Sequence, residues 1–284
     1  MVKEIGSVEN GGARVGVIIL TYNRLSLLKI TLCKVLAQTH RPHEILVVDN
    51  YSTDGTKEYL ETLDTITTIY LEENTGPAGG FFEGVKYFAE NSSVDFVWMM
   101  DDDFFPFDSC LEILVKNTNR DTVVFPFVRE KDFASRRQPG WWGVLVPMPI
   151  INHVGYPRKD LFFWSEDTEF LQARIEQKFK YPLKWISSAK GVHFTKRETN
   201  YRQPWRYYYE IRNSTYSRLF IKERTALRMY KIVRSWVKLF GSIIVKENNK
   251  FEKMKFFLLG SYHGLTKQLG KTVEPKTGKI IKKK

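Results

Sequence analysis

Three consecutive aspartates, Asp101, Asp102 and Asp103, directly follow a largely apolar run at residues 94–100. A buried strand cannot hold three adjacent carboxylates, because taking an unpaired carboxylate out of water costs several kcal/mol. We therefore expect the acids where the strand ends, at the sheet edge where α/β proteins bind ligands. A hard divalent cation would relieve their mutual repulsion and would in turn hold a phosphate. The alternative is a solvated acidic turn before a helix that begins at Asp108.

Strand-like and helix-like patterns alternate through the first hundred residues. Continuous apolar runs predict strands buried on both faces, and apolar residues at helical spacing separate them. This alternation predicts an α/β fold in which a parallel sheet carries helices on both faces. It weakens between residues 128 and 156, where 136–143 is typical of a long mobile loop. The predicted strands are 15–20, 44–48, 66–71 and 94–100, and the predicted helices are 25–36, one ending near 63, and 81–90.

The net charge of +12 is concentrated at the carboxyl end of the chain. Residues 202–284 contain 21 Lys and Arg against 5 Asp and Glu, whereas residues 1–201 contain 23 against 27. We predict a boundary near Asn200, with an α/β domain over 1–200 and a basic helical region over 201–284. A basic end on a neutral-to-acidic body predicts an anionic partner, either a membrane or a nucleic acid.

The two cysteines, Cys33 and Cys110, make no disulfide framework and lack the spacing of metal ligands. We expect two buried thiols and a reducing, cytoplasmic compartment. The amino-terminal residues show no signal-peptide pattern. The longest uncharged apolar runs, 239–245 and 256–266, are too short to span a bilayer.

Polar residues follow four successive predicted strands. Because such ends meet at one edge of a parallel sheet, they predict a pocket about the size of a nucleotide. Glycines after the third strand would let the backbone approach a ligand closely, although such a segment taken singly is more often a turn. Asp49 could accept hydrogen bonds from a base or ribose. The candidate residues before the three aspartates are Thr21, Tyr22, Asn23, Arg24, Asp49, Asn50, Asn74, Gly76, Gly79 and Gly80.

These motifs resemble those of family-2 glycosyltransferases of the GT-A fold, over roughly the first two hundred residues. The segment 74–80, the three aspartates, and the pattern Tyr208-Tyr209-x-x-Arg212-Asn213 look most like the galactofuranosyl- and rhamnosyltransferase branch. The matching segments are 18–24, 47–50, 74–80, 100–103 and 163–170, together with His193.

The resemblance implies a nucleotide-sugar donor, UDP- or dTDP-linked, held with Mn²⁺ or Mg²⁺ in a GT-A type nucleotide-binding sheet. It implies that Asp103 is a direct metal ligand and that Asp101 contacts ribose or metal-bound water. His193 matches a further metal or diphosphate ligand, although a lone histidine after a strand is more often structural. Asp102 belongs to the implied donor site with the strand-end residues above. Galactofuranose is the first sugar to expect and rhamnose the second.

An inverting transferase needs a base that takes a proton from the acceptor hydroxyl. The resemblance favours Asp167 as this base, with Trp164, Glu166 and Glu169 on the acceptor side. Relatives commonly have two aspartates where this chain has Glu166 and Asp167, so Glu166 could share or exchange the role. Acids in the first turn of a helix also stabilise it without any catalytic role. Two further groups, which could contact substrates or simply be packed, are Trp141 and Trp142, and Tyr208, Tyr209 and Arg212.

The segment 221–245 combines apolar residues at helical spacing with basic residues. This pattern predicts an amphipathic helix on the cytoplasmic face of the cell membrane, strengthened by the lysines 282–284. A helix packed on the first domain is the alternative. The resemblance implies a glycan or lipid-linked glycan acceptor, which favours the peripheral membrane position.

Two rival functions remain open. A nucleotidyltransferase shares the topology and the paired aspartates, but usually has a glycine-rich basic loop after its first strand. Here that loop is Thr21–Arg24 without glycine. A non-enzymatic basic protein that binds lipid or nucleic acid would leave the acidic sheet edge unexplained, and we expect no nucleic-acid partner.

Overall fold

The computed structural model describes residues 12–130, 135–136, 138–194, 203–221, 225–246, 248–275 and 277–281. In this part of the chain nine strands form one sheet, in the order β3-β2-β1-β4-β8-β6-β9-β5, with β7 paired to β6. The strands are β1 (Val15–Thr21), β2 (Glu44–Asp49), β3 (Thr67–Tyr70), β4 (Phe96–Asp101), β5 (Phe104–Pro106), β6 (Val123–Glu130), β7 (Ser135–Arg136), β8 (Trp142–Pro147) and β9 (Leu183–His193).

The first four strands are parallel, as the sequence predicts. Every residue of β1 is buried, because this central strand is covered on both faces. The register pairs Thr21 with Asp49 and Leu20 with Asp101. The polar ends of β1, β2 and β4 therefore finish side by side at one edge of the sheet.

The other half of the sheet is mixed, which corrects the expectation of a parallel sheet. Strand β8 runs antiparallel to β4 and β6, and β5 runs antiparallel to β9. Part of the region predicted as a long loop thus forms β8, and a helix follows it. The predicted loop also includes residue 137, which lies outside the described residues. The pairing of Phe104 with His193 brings the end of β9 beside the three aspartates.

Helices cover both faces of the sheet, as predicted. The helices α1 and α4 pack on one face, and α3, α5 and a π-helix at Thr168–Lys178 pack on the other. Cys110 is buried as expected, but Cys33 is exposed on α1, so the expectation of a buried thiol there is wrong. The helices are α1 (Leu25–Leu36), α2 (Thr56–Leu60), α3 (Gly76–Asn91), α4 (Cys110–Lys116), α5 (Met148–Val154), α6 (Pro204–Tyr216), α7 (Ala226–Lys246) and α8 (Lys250–Leu265).

The carboxyl-terminal helices pack closely on one another. Gly260 and Gly264 of α8 face the backbone of α6, and a Cβ at Gly260 would lie 2.6 Å from the carbonyl oxygen of Tyr208. None of the helices that the structure describes combines the length and the apolar composition that a bilayer crossing requires. The predicted boundary near Asn200 lies in 195–202, outside the described residues, so the division into two domains stays a prediction.

Candidate active site

The buried carboxylate of Asp102 is fully engaged at the end of β4. It accepts hydrogen bonds from Thr21 Oγ1 at 2.8 Å and from Arg24 Nη1 at 3.1 Å. Burial raises the pKa of Asp102 to about 6, against the opposing charge of Arg24. Thr31 on α1 donates to the backbone carbonyl of Asp102 at 2.6 Å. Asp102 therefore fixes the loop after β4, and two of the predicted donor residues, Thr21 and Arg24, hold it in place.

Asp103 and His193 form a second buried pair. Nε2 of His193 lies 3.3 Å from Oδ1 of Asp103, and its Nδ1 lies 3.5 Å from Oε1 of Glu130. Burial alone would raise the pKa of Asp103, but the contact with His193 and the charge of Arg24, 2.6 Å away, outweigh it and lower the pKa. Asp103 Oδ1 and His193 Nδ1 are both buried without a hydrogen bond of good geometry.

Asp101 carries the third carboxyl of the cluster. Burial, followed by the negative charges of Asp103 and Asp102, raises its pKa well above the usual range. Over the ranges that the structure describes, no three acidic, histidine or cysteine side chains converge closely enough to hold a metal by themselves. The protein thus offers two closely spaced donor atoms, on Asp103 and His193, at a crowded acidic edge.

The predicted donor-binding asparagines tie the loops of this edge together. Each uses its side-chain oxygen to accept a backbone N–H, within a local Asx turn for Asn74 and from a distant loop for Asn23 and Asn50. Asp49 does the same at Ser52, and burial raises the pKa of its carboxyl. Tyr22 is half-buried beside them. The asparagine contacts are Asn23 with Thr53 at 2.7 Å, Asn50 with Thr75 at 2.9 Å, and Asn74 with Gly76 at 2.8 Å.

The glycines lie within the first five residues of α3 instead of in a free loop, which corrects the predicted start of this helix at Phe81. Gly76 has φ +69°, and a Cβ there would lie 2.0 Å from the carbonyl oxygen of Phe162. A Cβ at Gly80 would lie 2.2 Å from Leu20, and one at Gly79 would clash with Thr75. Close packing within the protein accounts for these glycines, and a ligand contact stays a prediction.

The predicted acceptor-side acids follow a segment of unusual backbone. Phe162, Trp164 and Ser165 have φ of 61°, 74° and 70°, a region that residues other than glycine rarely adopt. Asp167 then caps the π-helix, because its Oδ1 accepts from the backbone N–H of Thr168 at 2.5 Å. The predicted helix start at these acids is confirmed. Trp164 exposes 38% of its surface beside them.

Glu169 is placed differently from Asp167. It is buried, and Arg174 binds both of its oxygens, at 2.6 and 3.0 Å. This bidentate ion pair satisfies the carboxylate within the helix. The expectation that Glu169 is oriented toward an acceptor therefore gains no support from the structure, which gives it a structural contact instead.

Glu166 is buried, and its Oε2 has no hydrogen-bond partner. Burial, followed by the charge of Asp167, raises the pKa of Glu166 to about 8, while the nearby indole of Trp141 works in the opposite direction. With a pKa of about 8, Glu166 keeps its proton at neutral pH. Asp167 lies next to it and caps the helix, so the two adjacent acids have different environments. When two neighbouring acids have different environments, one of them can keep its proton while the other acts as a base.

Replacing Glu166 with glutamine should flatten the pH dependence of stability. The folded protein keeps a proton on Glu166 that the unfolded chain releases near the ordinary pKa of 4.5. The stabilisation that this bound proton provides is fully present below about pH 4.5 and is lost as the pH rises toward 8. The free energy of unfolding falls by up to about 1.4 kcal/mol per pH unit in this range. Thermal unfolding measured from pH 5 to 8 should show a smaller decline for Glu166→Gln than for the wild type. Parallel curves would contradict the raised pKa.

The aromatic candidates are mostly packed. Trp141 is buried and stacks on Phe81 at 4.2 Å, and Trp142 lies 5.2 Å from the ring of His193. Tyr208, Tyr209 and Arg212 are all buried on α6, which favours the packing alternative for them.

Sequence reasoning missed three contributors to the site. Glu130 meets His193 through the pairing of β6 with β9, and Arg174 holds Glu169. Thr31 fixes Asp102 from α1. No local pattern marks Glu130 or Thr31, and the five-residue spacing of Glu169 and Arg174 brings the two side chains together only because this segment is a π-helix.

Comparison with known proteins agrees with this geometry. The family model for glycosyl transferase family 2 matches residues 16–177. The galactofuranosyltransferase GlfT1 of Mycolicibacterium smegmatis (strain ATCC 700084 / mc(2)155) is 34% identical over 94 residues. The match covers 32% of this chain and 30% of that relative, so the chain aligns with less than a third of its length.

Solved structures of S. aureus TarS 1-349 have a similar fold. One has a TM-score of 0.60 at 15% identity, covering 90% of this chain and 82% of that chain. Another, in complex with UDP-GlcNAc, has a TM-score of 0.59 at 17% identity, covering 87% and 79%. The GT-A fold predicted from the sequence is thereby confirmed. Because the family match spans more than half of its 284 residues, the chain belongs to glycosyl transferase family 2.

Proposed function

We propose that this chain is an inverting glycosyltransferase that moves a sugar from a nucleotide-sugar to a glycan or lipid-linked glycan. The observation that carries the proposal is the meeting of three strand ends and His193 around the carboxylates of Asp101 and Asp103. An acidic crevice of this kind suits a cation-bound diphosphate. The similarity to a TarS structure that contains UDP-GlcNAc supports a uridine nucleotide as the donor.

Galactofuranose is our first choice of sugar and rhamnose, from a dTDP donor, the second. The relative named as a galactofuranosyltransferase supports this order. The choice of sugar is therefore supported by a relative that the chain matches over 94 residues, while the reaction class is supported by the family and by the site.

The residues present fit a divalent cation. Oδ1 of Asp103 is buried without a hydrogen-bond partner, and Nε2 of His193 lies 3.3 Å from it. Asp103 and His193 would hold Mn²⁺ or Mg²⁺, with Asp101 close by, and phosphate oxygens and water would complete the coordination. When bound, the cation supplies positive charge that stabilises the leaving diphosphate.

Asp167 is the proposed base. It would accept the proton of the acceptor hydroxyl as that oxygen bonds to the anomeric carbon, while the bond from that carbon to the diphosphate oxygen breaks. The electron pair of the broken bond stays on the diphosphate. Glu166, neutral because its pKa is about 8, would not compete for the proton at neutral pH. Trp164, with 38% of its surface exposed next to these acids, would offer a ring on which a sugar could stack.

A panel of nucleotide-sugars tests the proposal. We expect Mn²⁺-dependent release of the nucleoside diphosphate from one donor, with UDP-galactofuranose first, and thermal stabilisation by the same donor. Release of the nucleoside diphosphate from other UDP- or dTDP-sugars, but not from UDP-galactofuranose, would correct only the proposed identity of the sugar. Cleavage of a nucleoside triphosphate with release of pyrophosphate would instead support the nucleotidyltransferase alternative. No turnover and no stabilisation by any nucleotide would overturn the proposed function.

The outer face of α7 supports a peripheral position on an anionic membrane. This helix buries Ile232 and Ile243, yet an apolar stripe on its other side is exposed. Basic residues lie next to that stripe at helical spacing, namely Lys231, Arg234 and Lys238, all of them exposed. Their charge complements anionic lipid headgroups, which is why we prefer lipid to a protein partner. Of the basic residues in the predicted amphipathic segment 221–245, Arg224 and the side chain of Arg228 lie outside the described residues, as do the lysines 282–284. The stripe consists of Leu227, Tyr230, Val233, Val237, Phe240 and Ile244.

Replacing Lys231, Arg234 and Lys238 with glutamine should weaken binding to vesicles that contain phosphatidylglycerol. Three charges at about 1 kcal/mol each correspond to roughly a 100-fold loss of partitioning. Sedimentation with vesicles measures it. The matched control replaces Lys57, Lys86 and Lys116, three lysines of other helices whose side chains are 56%, 44% and 69% exposed, and should bind like the wild type. Equal losses of vesicle binding in both variants would contradict a lipid-binding face. So would a wild-type protein that dimerises with increasing concentration and does not bind vesicles.

A further inference from the structure

The strained segment 161–165 is held by two side chains from α6. The amide Nδ2 of Asn213 lies 2.8, 2.7 and 2.8 Å from the backbone carbonyl oxygens of Leu161, Phe163 and Trp164, so its two N–H groups donate to this cluster with one N–H shared between two carbonyls. Nη2 of Arg212 donates to the carbonyl of Leu161 at 2.8 Å as well. One asparagine thus engages three carbonyls of a single short segment from a helix about fifty residues further along the chain.

Arg212 orients the asparagine amide. Nε of Arg212 donates to Oδ1 of Asn213 at 2.8 Å, so the amide nitrogen must face the segment. Nη1 of Arg212 donates to the carbonyl oxygen of Gly270 at 2.6 Å and to Thr272 Oγ1 at 3.1 Å. The guanidinium also lies 4.8 Å from the ring centre of Tyr209. Both Arg212 and Asn213 are completely buried, so these bonds form where solvent does not compete.

The segment has a backbone that it would not adopt alone. Three of its residues, Phe162, Trp164 and Ser165, have positive φ although none is glycine. Such conformations persist where the surrounding structure enforces them, and they concentrate at functional sites. The carbonyls of Phe163 and Trp164, which Asn213 binds, lie within this stretch.

The segment connects the two sides of the site. It leads directly into Glu166 and Asp167. On its other side the carbonyl of Phe162 accepts from the N–H of Ala78 at 3.3 Å and lies against Gly76, at the start of α3. Its position therefore sets where the proposed base stands relative to the glycine-rich start of α3.

We propose that Arg212 and Asn213 are positioning residues for the transfer reaction, because they clamp the segment 161–165 that leads directly into Asp167. The proposal rests on the proposed function, since Asp167 is the base only if the chain is a glycosyltransferase. In this arrangement the carboxyl-terminal helical region is part of the catalytic apparatus, whether or not it also binds a membrane.

The test compares Asn213→Ala with Thr215→Val, a control on the same helix. Thr215 is buried and accepts from Trp236 Nε1 at 3.0 Å, so its replacement also removes a buried hydrogen bond. We expect Asn213→Ala to lower kcat on the best donor of the panel by about 100-fold, with the Kd for UDP in Mn²⁺ within about threefold. Thr215→Val should keep kcat within about threefold. Arg212→Lys serves as the second variant if Asn213→Ala fails to fold.

Hydrogen exchange provides a readout that needs no activity. Amides of residues 158–170 should exchange at least about tenfold faster in Asn213→Ala than in the wild type, and the Thr215→Val protein should match the wild type there. If the wild type transfers no sugar but exchange responds in this way, the proposed function fails and the clamp stands. Unchanged exchange in Asn213→Ala, or equal losses of kcat in the two variants, would overturn the clamp.

Discussion

Asp167→Asn should reduce sugar transfer by about 1,000-fold while the Kd for UDP stays within about threefold of the wild type. The carboxylate of Asp167 is the proposed proton acceptor, and an amide cannot take up a proton near neutral pH. The fold should survive, because the amide oxygen of asparagine can still accept the capping hydrogen bond from Thr168. Single-turnover rates and calorimetric UDP binding, measured on the same preparation, separate the loss of chemistry from a loss of donor binding.

The control for this variant is Glu176→Gln, which removes an exposed acid from the same helix and should leave turnover unchanged. Wild-type turnover in Asp167→Asn would remove Asp167 from the role of base. If Glu166→Gln lost activity instead, the base would be Glu166, and its raised pKa would then appear as a limb of the pH–rate profile near 8.

Asp103→Asn should abolish the part of UDP binding that depends on Mn²⁺. Losing a supporting residue around a metal costs about 10–100-fold in affinity, and losing a direct ligand should cost at least as much. The substitution would also replace the ion pair between Arg24 Nη1 and Asp103 Oδ2, which are 2.6 Å apart, with a weaker contact to a neutral amide. Calorimetric titration of UDP at saturating Mn²⁺ measures the effect.

Asp95→Asn is the matched control, because Asp95 lies next to the opposite end of β4. There it accepts a hydrogen bond from the backbone N–H of Arg14 at 2.9 Å, far along the strand from the proposed metal site. This variant should bind UDP as the wild type does. Equal affinities for Asp103→Asn and Asp95→Asn would exclude Asp103 as a metal ligand.

The sequence predicted the donor side of the fold well because local patterns determine it. Continuous apolar runs mark β1, β2 and β4, and the interior of such a strand excludes unpaired carboxylates because burying them costs several kcal/mol. The run of acids therefore located the end of β4, and the parallel register brought Thr21, Asp49 and Asp101 to one edge. The predicted start of a helix at Glu166–Asp167 followed in the same way from the preference of acidic residues for the first turn of a helix.

The remaining parts depend on contacts distant in sequence. The mixed half of the sheet requires β8 to enter between β4 and β6, and no local pattern specifies the direction of that pairing. Gly76 was interpreted as a ligand-binding glycine, but the carbonyl of Phe162 occupies the space beside it. The contacts of the Asn213 amide with three carbonyls of the segment 161–165 are likewise invisible without coordinates, although the Arg212-Asn213 pattern did single out the residues.

Coupled binding of Mn²⁺ and a nucleotide tests whether the acidic edge of the sheet binds a diphosphate through a cation. Wild-type protein is titrated with UDP in a calorimeter, first with a chelator and then with Mn²⁺ present. We predict that UDP binds at least about tenfold more tightly when Mn²⁺ is added, and that Mn²⁺ binds more tightly when UDP is present. UDP and dTDP affinities that are the same with and without Mn²⁺ would contradict it.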